Sequence, residues 1–372
     1  MSNQSRFTPA FTAGQQRFHV NNTNTITGYV KCDGSVVAQA TYPQLYAAIG
    51  LIPDGNVLTT WTGQSSPFNG ILSATYGASV FLASGYSNNL ATSTNGVTWT
   101  SRNPNFSPAQ AIYSSDFGGG IFIIGGDAGG IATSTDGITW TVRTSGTASA
   151  IQGVAYGNSL YVFGGAGGIL KTSTNAITWT TRTTGTTQQI NKVKYLNSQW
   201  VYVGNNNTLA TSTDAITWTL RSAFAFGDNT TANLTDISYG NGLYVYVASL
   251  GVTGYSTDAV SWITTKIGAG SSQNRISYFG NIFIMSRGAA GYYSYDGTTW
   301  PTFASGSLYN INGFAFNGST VLGAGSTSIS DVYLATAAYY TYDSTTNFKL
   351  PTTSTGIIST NATTPTAYIK VK

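Results

Sequence analysis

Apolar and polar residues alternate in four short runs over 151–156, 160–164, 169–173 and 178–182, separated by Gly157-Asn158, Ala166-Gly167-Gly168 and Asn175-Ala176. Period-two alternation bounded by such turn residues predicts four β-strands, and four strands in about forty residues leave no room for helix. The same pattern recurs along most of the chain. It is paced by Trp61, Trp99, Trp140, Trp179, Trp218, Trp262 and Trp300, which fall 38, 41, 39, 39, 44 and 38 residues apart. A repeat near forty residues, built from short strands and tight turns, predicts one four-stranded propeller blade per period.

All but the first of these tryptophans close a heptapeptide, as in Ser93-Thr94-Asn95-Gly96-Val97-Thr98-Trp99. Its third place is Asn95, Asp136, Asn175, Asp214, Asp258 or Asp296, followed each time by Gly or Ala. An Asp or Asn side chain there can accept from backbone N–H groups of its own turn, and the Trp then starts an outer strand and covers the neighbouring hairpin. Replacing one such Trp with Ala should cost roughly 3–5 kcal/mol. Six repetitions argue for scaffold, because a catalytic site is rarely needed six times.

This heptapeptide resembles the Asp-box of sialidases and related propellers, although Asp or Asn and Gly are adjacent here and the box is one residue shorter. The resemblance implies a structural turn on the face opposite an active site, without catalytic meaning.

Six complete units end at Trp300, and runs at 311–316, 320–323 and 331–336 supply three further strands. The missing outer strand is expected from 57–62, at the front of the array, closing a ring of seven blades and removing exposed sheet edges. Six or eight blades are the alternatives, since 339–342 could form another strand. The fold class is therefore all-β, a seven-bladed propeller over 56–343.

Flanking segments differ from the repeats. Residues 1–25 are polar, punctuated by Phe7, Phe11 and Phe18, and read as an extended arm, docking or disordered. Gly28, Cys32, Asp33 and Gly34 form a Gly-x-x-x-Cys-Asp-Gly run, followed by Tyr42-Pro43-Gln44-Leu45 and Ile49-Gly50. Thr41 as N-cap, Leu45 and Ile49 on one face and Gly50 at the end predict a short helix. This stretch resembles the tail collar domain of bacteriophage tail fibres. That family continues with an extended Phe-x-Leu-Pro segment, matched here only by Phe348-Lys349-Leu350-Pro351 behind the propeller. The resemblance implies a collar-like domain in two parts, 26–55 and 344–372, with the propeller inserted between them. Ends of a closed ring lie close together, which makes such an insertion tolerable.

Composition narrows the function. Charged residues make up 8% of the chain, Glu is absent, and the net charge of +4 comes from scattered Lys and Arg. Arg102, Arg143, Arg182 and Arg221 recur three residues after successive tryptophans, which suits a solubilised sheet edge better than a nucleic-acid footprint. A single cysteine excludes an intrachain disulfide framework, and Cys32 reads as a small buried apolar side chain, because the only histidine, His19, lies outside its motif. The N-terminal stretch lacks the basic start and apolar core of a secretory signal, and no apolar run is long enough to predict a membrane span.

Hydrolysis in the manner of sialidases would require three convergent Arg and a Tyr nucleophile assisted by Glu, and this chain has no Glu. Paired carboxylates would have to come from Asp116, Asp127, Asp228, Asp236 and Asp331, which no motif brings together. No catalytic residue, metal site or cofactor is expected; Gly125 to Gly130 resembles a phosphate loop but lies between two strands and reads as a hairpin.

Binding fits better, since a propeller gathers its variable loops on one face. Tyr86, Phe224, Phe226, Asp228, Asn206 and Arg287 are the expected receptor contacts, because aromatic and amide groups suit sugar faces and hydroxyls. The expectation is a non-enzymatic bacteriophage tail or tail-fibre protein of the virion. Its partners would be other tail, baseplate or fibre proteins and a host-surface glycan or protein, with homotrimerisation a family expectation. A purely structural decoration or adaptor is the alternative, and a glycoside hydrolase a remote one.

Overall fold

The computed structural model describes residues 16–19, 29–31, 36–38, 61–222, 231–267, 274–279, 282–288, 290–303, 311–325, 332–336, 347–349 and 366–370. Two compact units divide the chain, one from Leu58–Ala337 and one from Met1–Val57 together with Ala338–Lys372.

Seven sheets make up the larger unit. Their innermost strands, taken here as blades one to seven, are Ile71–Gly77, Ile112–Gly118, Ile151–Gly157, Ile190–Leu196, Leu234–Gly240, Asn274–Phe279 and Ile311–Phe316. Each innermost strand packs on the next, and the seventh returns to the first, so the ring is closed. The last sheet borrows its outer strand from the front of the array. Thr62–Gln64 pairs antiparallel with Val332–Thr336, Thr62 opposite Leu334 and Gly63 opposite Tyr333. The expected closure thus occurs, a few residues later than the 57–62 run predicts. Blade six has three strands and an isolated bridge between Tyr292 and Thr302 where its fourth would lie. Positions 339–342, the proposed extra strand, lie outside the described residues.

Between blades the core is continuous. Ile71, Phe81 and Ala83 of blade one pack with Ala315, Leu322 and Val332 of blade seven, so the seam is as apolar as the other junctions. Val201, Val203 and Leu209 of blade four meet Leu234, Ile237 and Tyr246 of blade five in the same way. Trp200, outside the heptapeptide series, is fully buried in blade four.

The heptapeptide turn is held by its own side chains. In blade three, Asn175 Oδ1 accepts from Ile177 N at 2.9 Å and Thr178 N at 3.0 Å, and from Ser173 Oγ at 3.0 Å. Those amides are therefore unavailable to the sheet, and the outer strand is only Thr180–Thr181, shorter than the predicted 178–182 run. Asn95, Asp136, Asp214, Asp258 and Asp296 make the equivalent bonds. Indole rings then lie on the second strand of their own blade, Trp179 at 4.7 Å from Phe163, Trp218 at 4.8 Å from Tyr202 and Trp262 at 5.0 Å from Tyr246.

The recurring Arg does more than keep an edge soluble. Arg102, Arg143, Arg182 and Arg221 each donate Nε to a Thr Oγ1 on the third strand, to Thr92, Thr133, Thr172 and Thr211, all at 2.9 Å. Each one clips the short outer strand to its neighbour.

In the smaller unit the two ends of the chain pair with one another. Thr366–Lys370 lies between Gln16–His19 and Tyr29–Lys31, antiparallel to both, and Val36–Ala38 pairs with Asn347–Lys349. Gln16–His19 thus belongs to a sheet, although it falls within the span read as an arm. Gly28, Cys32, Asp33, Gly34, Tyr42, Leu45 and Gly50, with the helix expected over 41–50, lie outside the described residues. Among the described residues the only helical elements are three 3-10 turns, Asp127–Gly129, Ala166–Gly168 and Ser249–Gly251.

Candidate functional site: the channel and its mouth

Strand order assigns the loops to two faces. Turns between first and second strands share one face with the heptapeptide turns. Connections between second and third strands, and the loops leading into each innermost strand, share the other. On that second face the central channel opens into a cavity of about 280 Å³ lined by Leu72, Tyr86, Tyr113, Gln152, Asn191, Asn205, Asn233, Thr235, Arg275 and Asn312.

Six of these residues have one structural origin. Register shifts interrupt the pairing of first and second strands at Leu72, Tyr113, Gln152, Asn191, Thr235 and Asn312, one each in blades one to five and in blade seven. A β-bulge leaves one residue unpaired and re-aims its side chain, and here the six bulged residues ring the mouth. Each follows an apolar residue that anchors the strand in the core: Ile71, Ile112, Ile151, Ile190, Leu234 and Ile311, all fully buried. A constant apolar residue followed by a changing one was the available sequence signal. The expected contact list missed it, because alternation alone does not reveal a bulge.

Bonds between blades and within them stiffen this ring. Asn191 Nδ2 donates to Leu234 O at 2.8 Å and to Asn205 Oδ1 at 2.9 Å. Asn312 Nδ2 donates to Ile71 O at 2.9 Å, and Arg275 Nε to Asn312 O at 3.0 Å. Tyr113 donates its hydroxyl to Asp127 Oδ1 at 2.8 Å, and burial followed by that bond pushes the phenol up to about 12.

Among the sequence candidates, Tyr86 stands on the rim, 49% exposed. Its ring lies across Gly70, where an added Cβ would be 2.7 Å from Tyr86 Cδ2. Asn206 is exposed on the same face and donates Nδ2 to Gln188 Oε1 at 2.8 Å. Arg287 does not belong to an exposed loop: it ends the strand Ile282–Arg287 and is only 6% exposed. Phe224, Phe226 and Asp228 lie outside the described residues.

Deeper in the channel a chamber of about 310 Å³ collects Asp116, Lys192, Lys194, Asp236 and Arg275. Two Asp that no sequence motif pairs thus face one cavity, each engaged. Asp116 Oδ2 accepts from Tyr156 N at 2.7 Å, yet burial outweighs that bond and lifts the carboxyl to about 6. Asp236 forms an ion pair with Lys194 at 2.7 Å and accepts from Ile276 N at 3.2 Å. Burial would raise it, but Lys194, Lys192 and Arg275 together hold it below the usual carboxylate range. Burial, then repulsion from Arg275, brings the Lys192 ammonium down to about 7. Asp331 lies outside the described residues, and no cluster of three or more metal-ligating side chains occurs among those described.

No protein-family pattern and no curated protein sequence matches the chain. Solved structures do. A structure of YCF48 bound to D1 peptide aligns with a TM-score of 0.60 at 16% identity, over 77% of this chain and 99% of that one. YCF48 from Cyanidioschyzon merolae aligns with a TM-score of 0.57 at 15% identity, over 74% and 98%. A chain of a mitotic checkpoint complex aligns with a TM-score of 0.60 at 10% identity, over 77% and 98%. At such identities the likeness establishes one thing, the seven-bladed propeller fold.

Proposed function

We propose that this chain is a non-enzymatic binding protein of a bacteriophage tail or tail fibre, presenting the channel mouth to a host-surface glycan or protein. The observation that carries the binding reading is the set of bulges. Six blades each turn one variable side chain onto the same opening, and the products are an amide-rich, tyrosine-flanked concavity. Amides offer paired donors and acceptors, and tyrosine offers an apolar face with a polar tip, the combination that recognises sugars and peptide backbones.

Assignment to a phage tail rests on the collar-like residues Gly28, Cys32, Asp33, Gly34, Tyr42, Leu45 and Gly50. It is supported by the pairing of front and rear segments in one unit, as a collar domain interrupted by the propeller requires. The Asp-box likeness remains a matter of the turn. That one YCF48 structure carries a peptide supports a protein as one class of ligand. The absence of Glu, with Asp116 and Asp236 committed to a backbone amide and an ion pair, supports a role without hydrolysis.

Tyr86→Ala and Gln152→Ala test this on glycan arrays and in competition with phage adsorption to host cells. Both variants should bind at least tenfold more weakly, whereas Asn158→Ala, on the opposite face, should bind as the unmodified protein does. Equal binding by all three would leave the adaptor reading in its place.

A further inference from the structure

The chamber below the mouth contains three cations, Lys192, Lys194 and Arg275, against two carboxylates, Asp116 and Asp236. Lys194 and Asp236 neutralise each other at 2.7 Å. Arg275 spends Nε on Asn312 O and lines both the mouth cavity and the chamber, so it marks the neck between them. The Lys192 side chain faces the chamber, and its ammonium is in no ion pair among the described residues. Four groups confront it: Lys194 on its own strand, Asp116 from blade two, Asp236 from blade five and Arg275 from blade six. Counting both carboxylates as charged, the chamber keeps one positive charge in excess. A cation inside a cavity walled by protein interacts with an anion more strongly than it would on an open surface.

We propose that the chamber is an oxyanion site, in which Lys192 and Arg275 hold a carboxylate or sulfate group carried by the ligand that enters through the mouth. This deepens the reading of the mouth as a binding face and rests on it. An acidic glycan meets both parts of the channel, its ring against the amides and Tyr86 and its charged group at the neck.

Protonation of Lys192 is then part of binding. With burial and Arg275 bringing its ammonium down to about 7, the chamber loses positive charge as pH rises from 6 to 8, and affinity falls across that interval. Asp116, charged only above about 6, works in the same direction.

Titration calorimetry with glucuronate and with inorganic sulfate, both of constant charge from pH 6 to 8, and with glucose as the neutral control, tests the site. The full-length protein should bind at least one of the anions, tighter at pH 6, and should not bind glucose in the same range. Glucuronate without sulfate identifies a carboxylate, and sulfate without glucuronate a sulfate ester. Lys192→Met should abolish binding while keeping the far-ultraviolet circular dichroism of the parent, and Lys192→Arg should retain binding at pH 8. Failure of both anions, or binding by Lys192→Met equal to the parent, overturns the proposal. Anion binding that persists while Tyr86→Ala and Gln152→Ala leave glycan recognition intact sinks the reading of the mouth and spares the chamber; the reverse result does the opposite.

Discussion

Trp179 and Trp218 occupy the same place in adjacent blades, yet only one satisfies its indole N–H. Both follow an alanine held at positive φ, Ala176 at 57° and Ala215 at 59°, and both lie against an aromatic ring at 4.7 or 4.8 Å. Trp218 Nε1 donates to Ala215 O at 3.1 Å, while Trp179 Nε1 is buried without an acceptor. Changing each to Phe removes similar apolar area, so the packing loss largely cancels in the comparison. What differs is polar. At 218 the change breaks a hydrogen bond with a net contribution of about 1 kcal/mol, whereas at 179 it deletes an orphan donor whose burial costs about 1–3 kcal/mol. Trp218→Phe should therefore be less stable than Trp179→Phe by about 2–4 kcal/mol. Urea unfolding followed by far-ultraviolet circular dichroism reads the difference as a lower midpoint at unchanged slope. Equal midpoints, or a larger loss at 179, would refute the assignment of indole bonding as the distinction between these copies.

Two further outcomes follow from the seam and the channel. Trp61 is buried against Phe303, with ring centroids 6.1 Å apart, immediately before the closing strand. Trp61→Ala should cost roughly 3–5 kcal/mol. It should also add concentration-dependent light scattering as the edge of Val332–Thr336 is freed; a variant as stable and monodisperse as the parent would contradict closure at this seam. Asp116, lifted to about 6, holds its proton more tightly in the folded chain than in the unfolded one. Its stabilising contribution is present below the ordinary carboxylate range near 4 and is lost as pH rises through about 6. Asp116→Asn, which keeps an acceptor for Tyr156 N, should be more stable than the parent above pH 6, on the order of 1–2 kcal/mol after screening by channel water. Urea midpoints of the two proteins should converge at pH 4.

Blade number, seam and strand positions were legible because they rest on local chemistry. An Asp or Asn that accepts from its own turn, an Ala or Gly that tolerates positive φ, and a Trp that covers the hairpin all sit within seven consecutive residues, so their repetition can be counted without knowing any pairing. The mouth was not legible in that way. Gln152 and Asn191 look like ordinary outward positions of alternating strands until the second strand is placed beside them, because a bulge is a property of two strands. The chamber is more remote still. Asp116, Lys192, Asp236 and Arg275 come from four different blades and meet only because a closed ring brings its innermost strands around one axis. The clip from Arg182 to Thr172 was hidden for the same reason, since it links residues on strands whose register the sequence does not display.

The described residues of blade six depart from the bulge pattern, and a larger side chain stands opposite the strand start there. The second strands of blades two, three and four end in Gly126, Gly165 and Gly204, where an added Cβ would clash with Ala111 O, Ala150 O and Gln189 O. Blade five carries Ala248 at this place and keeps the register shift, so a methyl is accommodated there and the position calls for a small side chain. Blade six has Arg287 there, and its register runs unshifted, Asn274 opposite Arg287 and Arg275 opposite Ser286. Among the described residues, the blade-six side chain that lines both the mouth and the chamber is Arg275, at the neck of the channel. The substitution also costs stability: Arg287 Nε and Nη2 are buried without acceptors. A buried charge with unpaired donors is better replaced by an apolar group of similar length. Arg287→Met should accordingly raise stability by about 1–3 kcal/mol in urea unfolding. A lower midpoint would mean that the guanidinium is held by an interaction that offsets its burial, and that blade six depends on Arg287 rather than merely accommodating it.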